Sequence, residues 1–312
     1  MESVEIEQQP FAVRVMDGTV VRGWRYCVTK SGSGRKRSDQ RSPTPLVCIP
    51  SGLGTSREFH NFILHLQTLQ DAPKQVVTLD LRGRGRSDRS SEDTYSPILE
   101  CDDVISVCDA LGLHEVDFLA NGRGGIVALL TSPKRPSLIK RLILNDAGPE
   151  NDAVGIVRMN GIHRNMTTPR SWPQAVESLK TLWGNQFSGI DEDMWEQWAQ
   201  SFWKDENGEP VIDYDPKLQS IVNDVDFDAK QPTLWGEFAI QKNKDVLLIK
   251  GEHSPLLTDE IAQKMKAVAQ RLQTVTAQGQ GHIPLLGSQG LPEKIVEFLA
   301  TPESSSPANA DD

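Results

Sequence analysis

Four short stretches carry the residue types from which a reaction could be built. From Leu119 the chain reads Leu-Ala-Asn-Gly-Arg-Gly-Gly-Ile-Val-Ala, with Gly122 in a sharp turn between an apolar run and a helical one. Gln280-Gly-His-Ile-Pro284 sets His282 in a tight loop, and imidazole is the side chain best suited to move a proton near neutral pH. Ile143-Leu-Asn-Asp-Ala-Gly-Pro149 ends an apolar run at Asp146, which as a turn residue between Asn145 and Gly148 needs no further role. Ile49-Pro-Ser-Gly52 ends another such run. The helix after Gly122 presents its N-terminal amides, and Arg123 adds a positive charge, so a carboxylate or phosphate could rest there.

Other stretches carry less. Arg82, Arg84 and Arg86 alternate with Gly83 and Gly85, but the run lacks the spacing of either phosphate-binding fingerprint, which favours a supporting loop. His60, His65, His114 and His163 show no metal-ligand spacing, so no metal is expected. Ser254, with His253 beside it, is the nearest hydroxyl to Pro255 but sits on the wrong loop for a nucleophile.

The elements that must position these residues follow from periodicity. Phe11 to Thr29 reads as a hairpin about Asp17-Gly18. Apolar runs at 45–50, 75–81, 115–120, 138–145, 245–250 and 272–277 read as buried strands. Helical spacing over 56–67, 97–111, 124–131, 258–270 and 292–299 alternates with them, which predicts a mostly parallel central sheet with flanking helices. Residues 151–235 break the alternation, lack clear strands and hold six of the seven tryptophans. Trp195, Trp198 and Phe202 share a face of a helix expected over 191–204, closed by Gly208 and Pro210. The expected organisation is a core in two parts, 1–150 and 236–300, an inserted helical cap at 151–235 and a disordered tail at 301–312.

These five motifs, in this order on these elements, resemble the α/β-hydrolase superfamily, in particular small bacterial-type esterases and C–C bond hydrolases. They are the Ile-Pro-Ser-Gly turn, Asp80-Leu-Arg-Gly-Arg-Gly-Arg-Ser-Asp88, the glycine-rich elbow, Leu-Asn-Asp-Ala-Gly-Pro149 and Gly-His-Ile-Pro284. The resemblance spans roughly residues 11–300. It implies an eight-stranded sheet, a helical lid, and esterase, thioesterase or C–C hydrolase chemistry. It also implies a serine at the elbow, where this chain has Gly122, and an acid at a later loop, where it has Pro255. Of the implied triad only His282 stands, so an acyl-enzyme route has no nucleophile. In some relatives an acid at the location of Asp146 serves instead, which would pair Asp146 with His282 to activate water. The Arg123 amide and one near Ser51 or Gly52 would form the oxyanion hole.

Three readings follow: a degenerate hydrolase fold that binds a small apolar or carboxylate-containing ligand under a tryptophan-rich lid, or a protein partner; a hydrolase or lyase worked by His282 and Asp146; and a scaffold or subunit with a vestigial pocket. Trp195 and Trp198 are the expected pocket residues, with Trp172, Trp183 and Trp203 expected in packing. No cofactor is expected. The net charge of −10 argues against nucleic acid as a partner, although Lys30, Arg35, Lys36, Arg37 and Arg41 form a local basic loop. Mean hydropathy is −0.41 and no apolar run approaches the ~20 residues of a membrane span. Cys101 and Cys108 lie seven apart in a helix, about 10 Å along its axis and too far for a disulfide. Together with Cys27 and Cys48, which form no pairing motif, they suggest a reducing cytoplasmic setting.

Overall fold

In the computed structural model, residues 4–30, 44–66, 68–69, 71–219, 232–288 and 290–301 are described. The basic residues of the 35–41 loop and the tail beyond 301 lie outside them. The chain opens with strands β1 (Val4–Arg14) and β2 (Val20–Lys30), antiparallel about Asp17-Gly18. Strand β3 (Leu46–Ile49), helix α1 (His60–Leu66), β4 (Gln75–Asp80), α2 (Pro97–Ala110), β5 (Val116–Asn121), α3 (Arg123–Lys134) and β6 (Ile139–Asn145) follow in strict alternation.

Helices α4 (Ala153–Arg164), α5 (Trp172–Trp183) and α6 (Glu192–Phe202) come next. Beyond them lie β7 (Lys204–Glu206), β8 (Glu209–Val211) and the short α7 (Trp235–Ala239). Alternation resumes with β9 (Val246–Gly251), α8 (Asp259–Val268), β10 (Leu272–Ala277) and α9 (Leu291–Ala300). The sheet has eight strands in the order β1-β2-β4-β3-β5-β6-β9-β10, parallel from β4 onward. Among the described residues no helix is long and apolar enough to cross a membrane.

Strands β3, β5 and β9 are buried at every position, and β4 and β6 at all but one, because helices cover both faces of the sheet. One core lies against α2, α3 and α8, the other against α1 and α9. A third apolar cluster joins α5 and α6 through Leu179, Trp183, Trp195 and Trp203. The segment between β6 and β9 departs from expectation in one place. The helix stops at Phe202, and residues 204–211 form a two-stranded hairpin. Asn207 and Gly208 both take positive φ, +57 and +88, which is the backbone a two-residue hairpin turn requires of its central pair.

The arginine–glycine loop after β4 is a brace. Arg82 makes a two-point contact with buried Asp103, at 2.6 Å from both Nε and Nη2. Arg84 donates to Glu100 Oε1 at 2.7 Å, and Asp80 accepts from the backbone amides of Ser56 and Arg86. Paired in this way, the buried charges tie β4 to α2 and to the turn after β3.

The start of α3 is packed against the ends of β3 and β6 with no spare room. A Cβ on Gly124 would sit 2.5 Å from the Ile49 carbonyl oxygen and 2.7 Å from that of Pro50. Both contacts are backbone and cannot swing aside. Gly124→Ala should therefore cost about 1–3 kcal/mol of stability, read as a thermal midpoint several degrees lower. An unchanged midpoint would show that the elbow can shift.

Candidate active site

β5 ends at Asn121 and α3 begins at Arg123, so one residue makes the whole reversal. Gly122 does so with φ +47 and ψ −113, a conformation glycine reaches without steric cost. Its amide donates to the Asn145 carbonyl at 3.0 Å, which locks the elbow to the end of β6.

One residue beyond Asn145, Asp146 takes φ +51, rare for a residue with a side chain, and its amide donates to Ile249 O at 2.7 Å. That twist turns the carboxylate toward three donors from two other segments. His282 Nδ1 lies 2.8 Å from Oδ2, Ser254 Oγ donates to the same oxygen at 2.5 Å, and the Gly251 amide donates to Oδ1 at 2.9 Å. The Asp146 side chain is fully buried and that of His282 is 12% exposed. A buried carboxylate requires such partners, and this one has them on both oxygens. Because the carboxylate can only accept, Nδ1 carries the proton of this contact and Nε2 is left as the acceptor. Nε2 faces the elbow: a Cβ on Gly122 would lie 3.3 Å from it.

Glu58, which no motif marked, joins the same wall. Its Oε2 accepts from the Ser51 amide at 3.0 Å and from Asn121 Nδ2 at 3.0 Å, and the Ser51 hydroxyl donates to Oε1. Asn145 Nδ2 in turn donates to Asn121 Oδ1 and to the Pro284 carbonyl, both at 2.9 Å. Burial pushes the Glu58 carboxyl above the usual glutamate range, outweighing these donors and the nearby His282.

The cavity between this floor and helices α4–α6 has a volume of about 290 Å³. Gly122, Asp146, His282, Ser51, Gly52, Arg123 and Trp198 all line it. Several of them are committed in ways the sequence did not show. The Ser51 amide, expected as an oxyanion donor, is held by Glu58, and the Gly52 carbonyl accepts from Arg84 Nε at 2.8 Å. Arg123 directs its guanidinium to buried Glu100, at 3.0 Å from Nε, and to the Tyr95 carbonyl, so its charge is not free for an anion. Trp195 is not on the wall. It stacks behind Trp198 at 5.3 Å, while Trp183, expected in packing, lines the cavity. Pro255 is likewise off the wall, and Ser254 beside it serves Asp146 as a donor. Asn160 and His163, one helical turn apart on α4, face the cavity without any sequence motif to announce them.

The fold and this constellation define a class. Residues 44–288 match the family model described as the alpha/beta hydrolase fold, and the chain belongs to that family. Its relatives include a 3-hydroxybutyrate-oligomer hydrolase from Cupriavidus necator, 23% identical across 84% of this chain and 92% of that one. A 2-hydroxymuconate semialdehyde hydrolase from Pseudomonas putida is 34% identical over 23% of this chain and 25% of its own length. Among solved structures, an alpha/beta hydrolase from Novosphingobium aromaticivorans superposes with a TM-score of 0.78 at 23% identity, covering 96% of this chain and 99% of that one. E-2-(acetamidomethylene)succinate hydrolase superposes with a TM-score of 0.72 at 15% identity, over 95% and 100% of the two chains.

The raised Glu58 makes the folded protein hold a proton that the unfolded chain releases near the ordinary glutamate value of 4.5. Stability therefore falls as pH rises from there through the folded-state value. Glu58→Gln removes that fall, so urea midpoints of the variant should gain on those of the parent as pH rises. Parallel pH curves for the two proteins would mean that Glu58 titrates normally.

Proposed function

We propose that this chain is an enzyme in which the Asp146–His282 pair acts as a general base on a small, largely apolar substrate, with no covalent intermediate. The observation that carries this reading is the 2.8 Å contact between His282 Nδ1 and a fully buried Asp146, with Nε2 directed at the bare backbone of Gly122. A ligand-binding protein or a scaffold has no use for an imidazole so oriented, and the bent backbone of Asp146 would be strain without return. The hydrolase relatives favour an ester or similar acyl compound.

In this reaction a water above Gly122 gives its proton to His282 Nε2 as its oxygen adds to the substrate carbonyl. Asp146 stabilises the imidazolium that forms. Negative charge on the former carbonyl oxygen meets the Arg123 amide at the N-terminus of α3. The Ser51 amide is taken up by Glu58, so the Arg123 amide is the donor this site offers to that charge. His282 then returns the proton to the departing alkoxide. The pocket walls and the closed elbow keep the reacting water in place.

The test is hydrolysis of a short-chain p-nitrophenyl ester by the parent protein. Turnover should proceed without an initial burst. It should drop by about 10²–10⁴ in His282→Ala and in Asp146→Asn, the loss expected when a positioned base is removed. Gly122→Ser should introduce a burst, since its hydroxyl would arise beside Nε2. A parent rate unchanged by His282→Ala would end the proposal.

A further inference from the structure

The loop after β9 holds a hydroxyl that the reaction above does not use. Ser254 Oγ donates to Asp146 Oδ2 at 2.5 Å, the same oxygen that His282 Nδ1 meets at 2.8 Å. It also accepts from the amides of Leu256 at 3.2 Å and Leu257 at 3.1 Å. A serine hydroxyl has one proton and two lone pairs. With both lone pairs turned to the backbone, the proton is left with Asp146, and the two amides polarise it in that direction. The loop that fixes this arrangement is itself pinned. The Ser254 amide donates to the Gly251 carbonyl at 3.1 Å and that of His253 to the Gln280 carbonyl at 2.9 Å. A Cβ on Gly155 of α4 would lie 1.9 Å from the Pro255 carbonyl oxygen, so the helix rests directly on the loop. Pro255, with its fixed φ, stiffens the turn that Ser254 closes.

From this geometry we propose that Ser254 is a positioning residue for the Asp146–His282 pair, holding Oδ2 in place and taking up part of its charge so that the imidazole stays unprotonated, as a base must, in neutral solution. A carboxylate that faces one imidazole alone draws a proton onto the ring, and a second donor on the same oxygen weakens that pull. The Gly251 amide draws on Oδ1 at 2.9 Å, so Ser254 is the donor that shares an oxygen with the ring. Other titratable groups also face His282. Glu58, from the turn after β3, and His163, on α4, both lie within electrostatic reach of it. Arg123 of α3 lines the same cavity with its guanidinium held on Glu100, and α5 and α6 bring no titratable side chain to the described wall. None of these groups is a hydrogen-bond partner of Ser254, so a change at position 254 acts on the ring through Asp146.

The effect on rate rests on the proposed reaction, but the contact itself is measured without turnover. The full chain, carrying ¹³C in its histidine rings, is titrated by NMR, with the His282 signal identified by its loss in His282→Ala. In Ser254→Ala the midpoint of the His282 ring should rise by about half to one pH unit, a fraction of what a hydrogen bond to a charged group is worth. Ser254→Cys, close to serine in size but a weaker donor, should raise it by less. The pH at which kcat/KM for the p-nitrophenyl ester falls on the acid side should move with the ring. A serine that only shapes the turn would lower the thermal midpoint of the variants and leave the ring where it was. That result, or a midpoint that falls, overturns the proposal, and Ser254→Cys decides it if Ser254→Ala does not fold. A displaced ring titration in a protein whose ester rate ignores His282→Ala keeps the role of Ser254 and refutes the proposed reaction. An undisplaced titration with a His282-dependent rate does the reverse.

Discussion

The carboxylate of Asp146 is the constraint around which the rest of the site is arranged. It is buried without exposure, and its oxygens accept from the backbone of β9, from the loop after β9 and from the imidazole of the loop after β10. Removing water from a carboxylate is costly, and the cost is offset only if donors surround it in fixed geometry. Those contacts coincide with the positive φ of Asp146, with its amide link to Ile249 and with the side-by-side register of β6 and β9.

A second network runs in parallel. Glu58, Asn121 and Asn145 form a chain from the turn after β3, through the end of β5, to the end of β6. It fastens the three strand ends that surround Gly122. The Arg84–Glu100–Arg123 cluster does the same from the side of α2. The elbow is therefore held by polar contacts on every side, and its geometry persists with glycine at its tip. In this fold the shape of the turn belongs to its neighbours rather than to the residue that sits on it.

Much of the architecture was legible because strand and helix periodicities are strong where both faces of a sheet are covered. The apolar runs at 75–81, 138–145 and 245–250 could be little else. The closing hairpin at 204–211 was hidden because three-residue strands carry no periodicity, although Asn207-Gly208 was a usable turn signal. His282 and Asp146 could be read from loop motifs and a resemblance. Glu58 could not, since a lone glutamate in a first helical turn looks like a solvated residue, and its meeting with Asn121 is made by the sheet order. Trp195 and Trp183 exchanged expected places because a shared helical face does not say which ring reaches the cavity and which supports it from behind.

Gly122 also decides how such a protein can be found. Reagents that label hydrolases by phosphorylating or sulfonylating the elbow oxygen have nothing there to bond, since the position is backbone alone. Covalent capture at the elbow has no side-chain oxygen to act on at position 122, and inhibitors built on an adduct at that atom would find none there. Effective ligands would have to hold by shape and hydrogen bonds. Under the reaction proposed above, the pocket's chemistry would show itself in product formed rather than in an adduct at position 122.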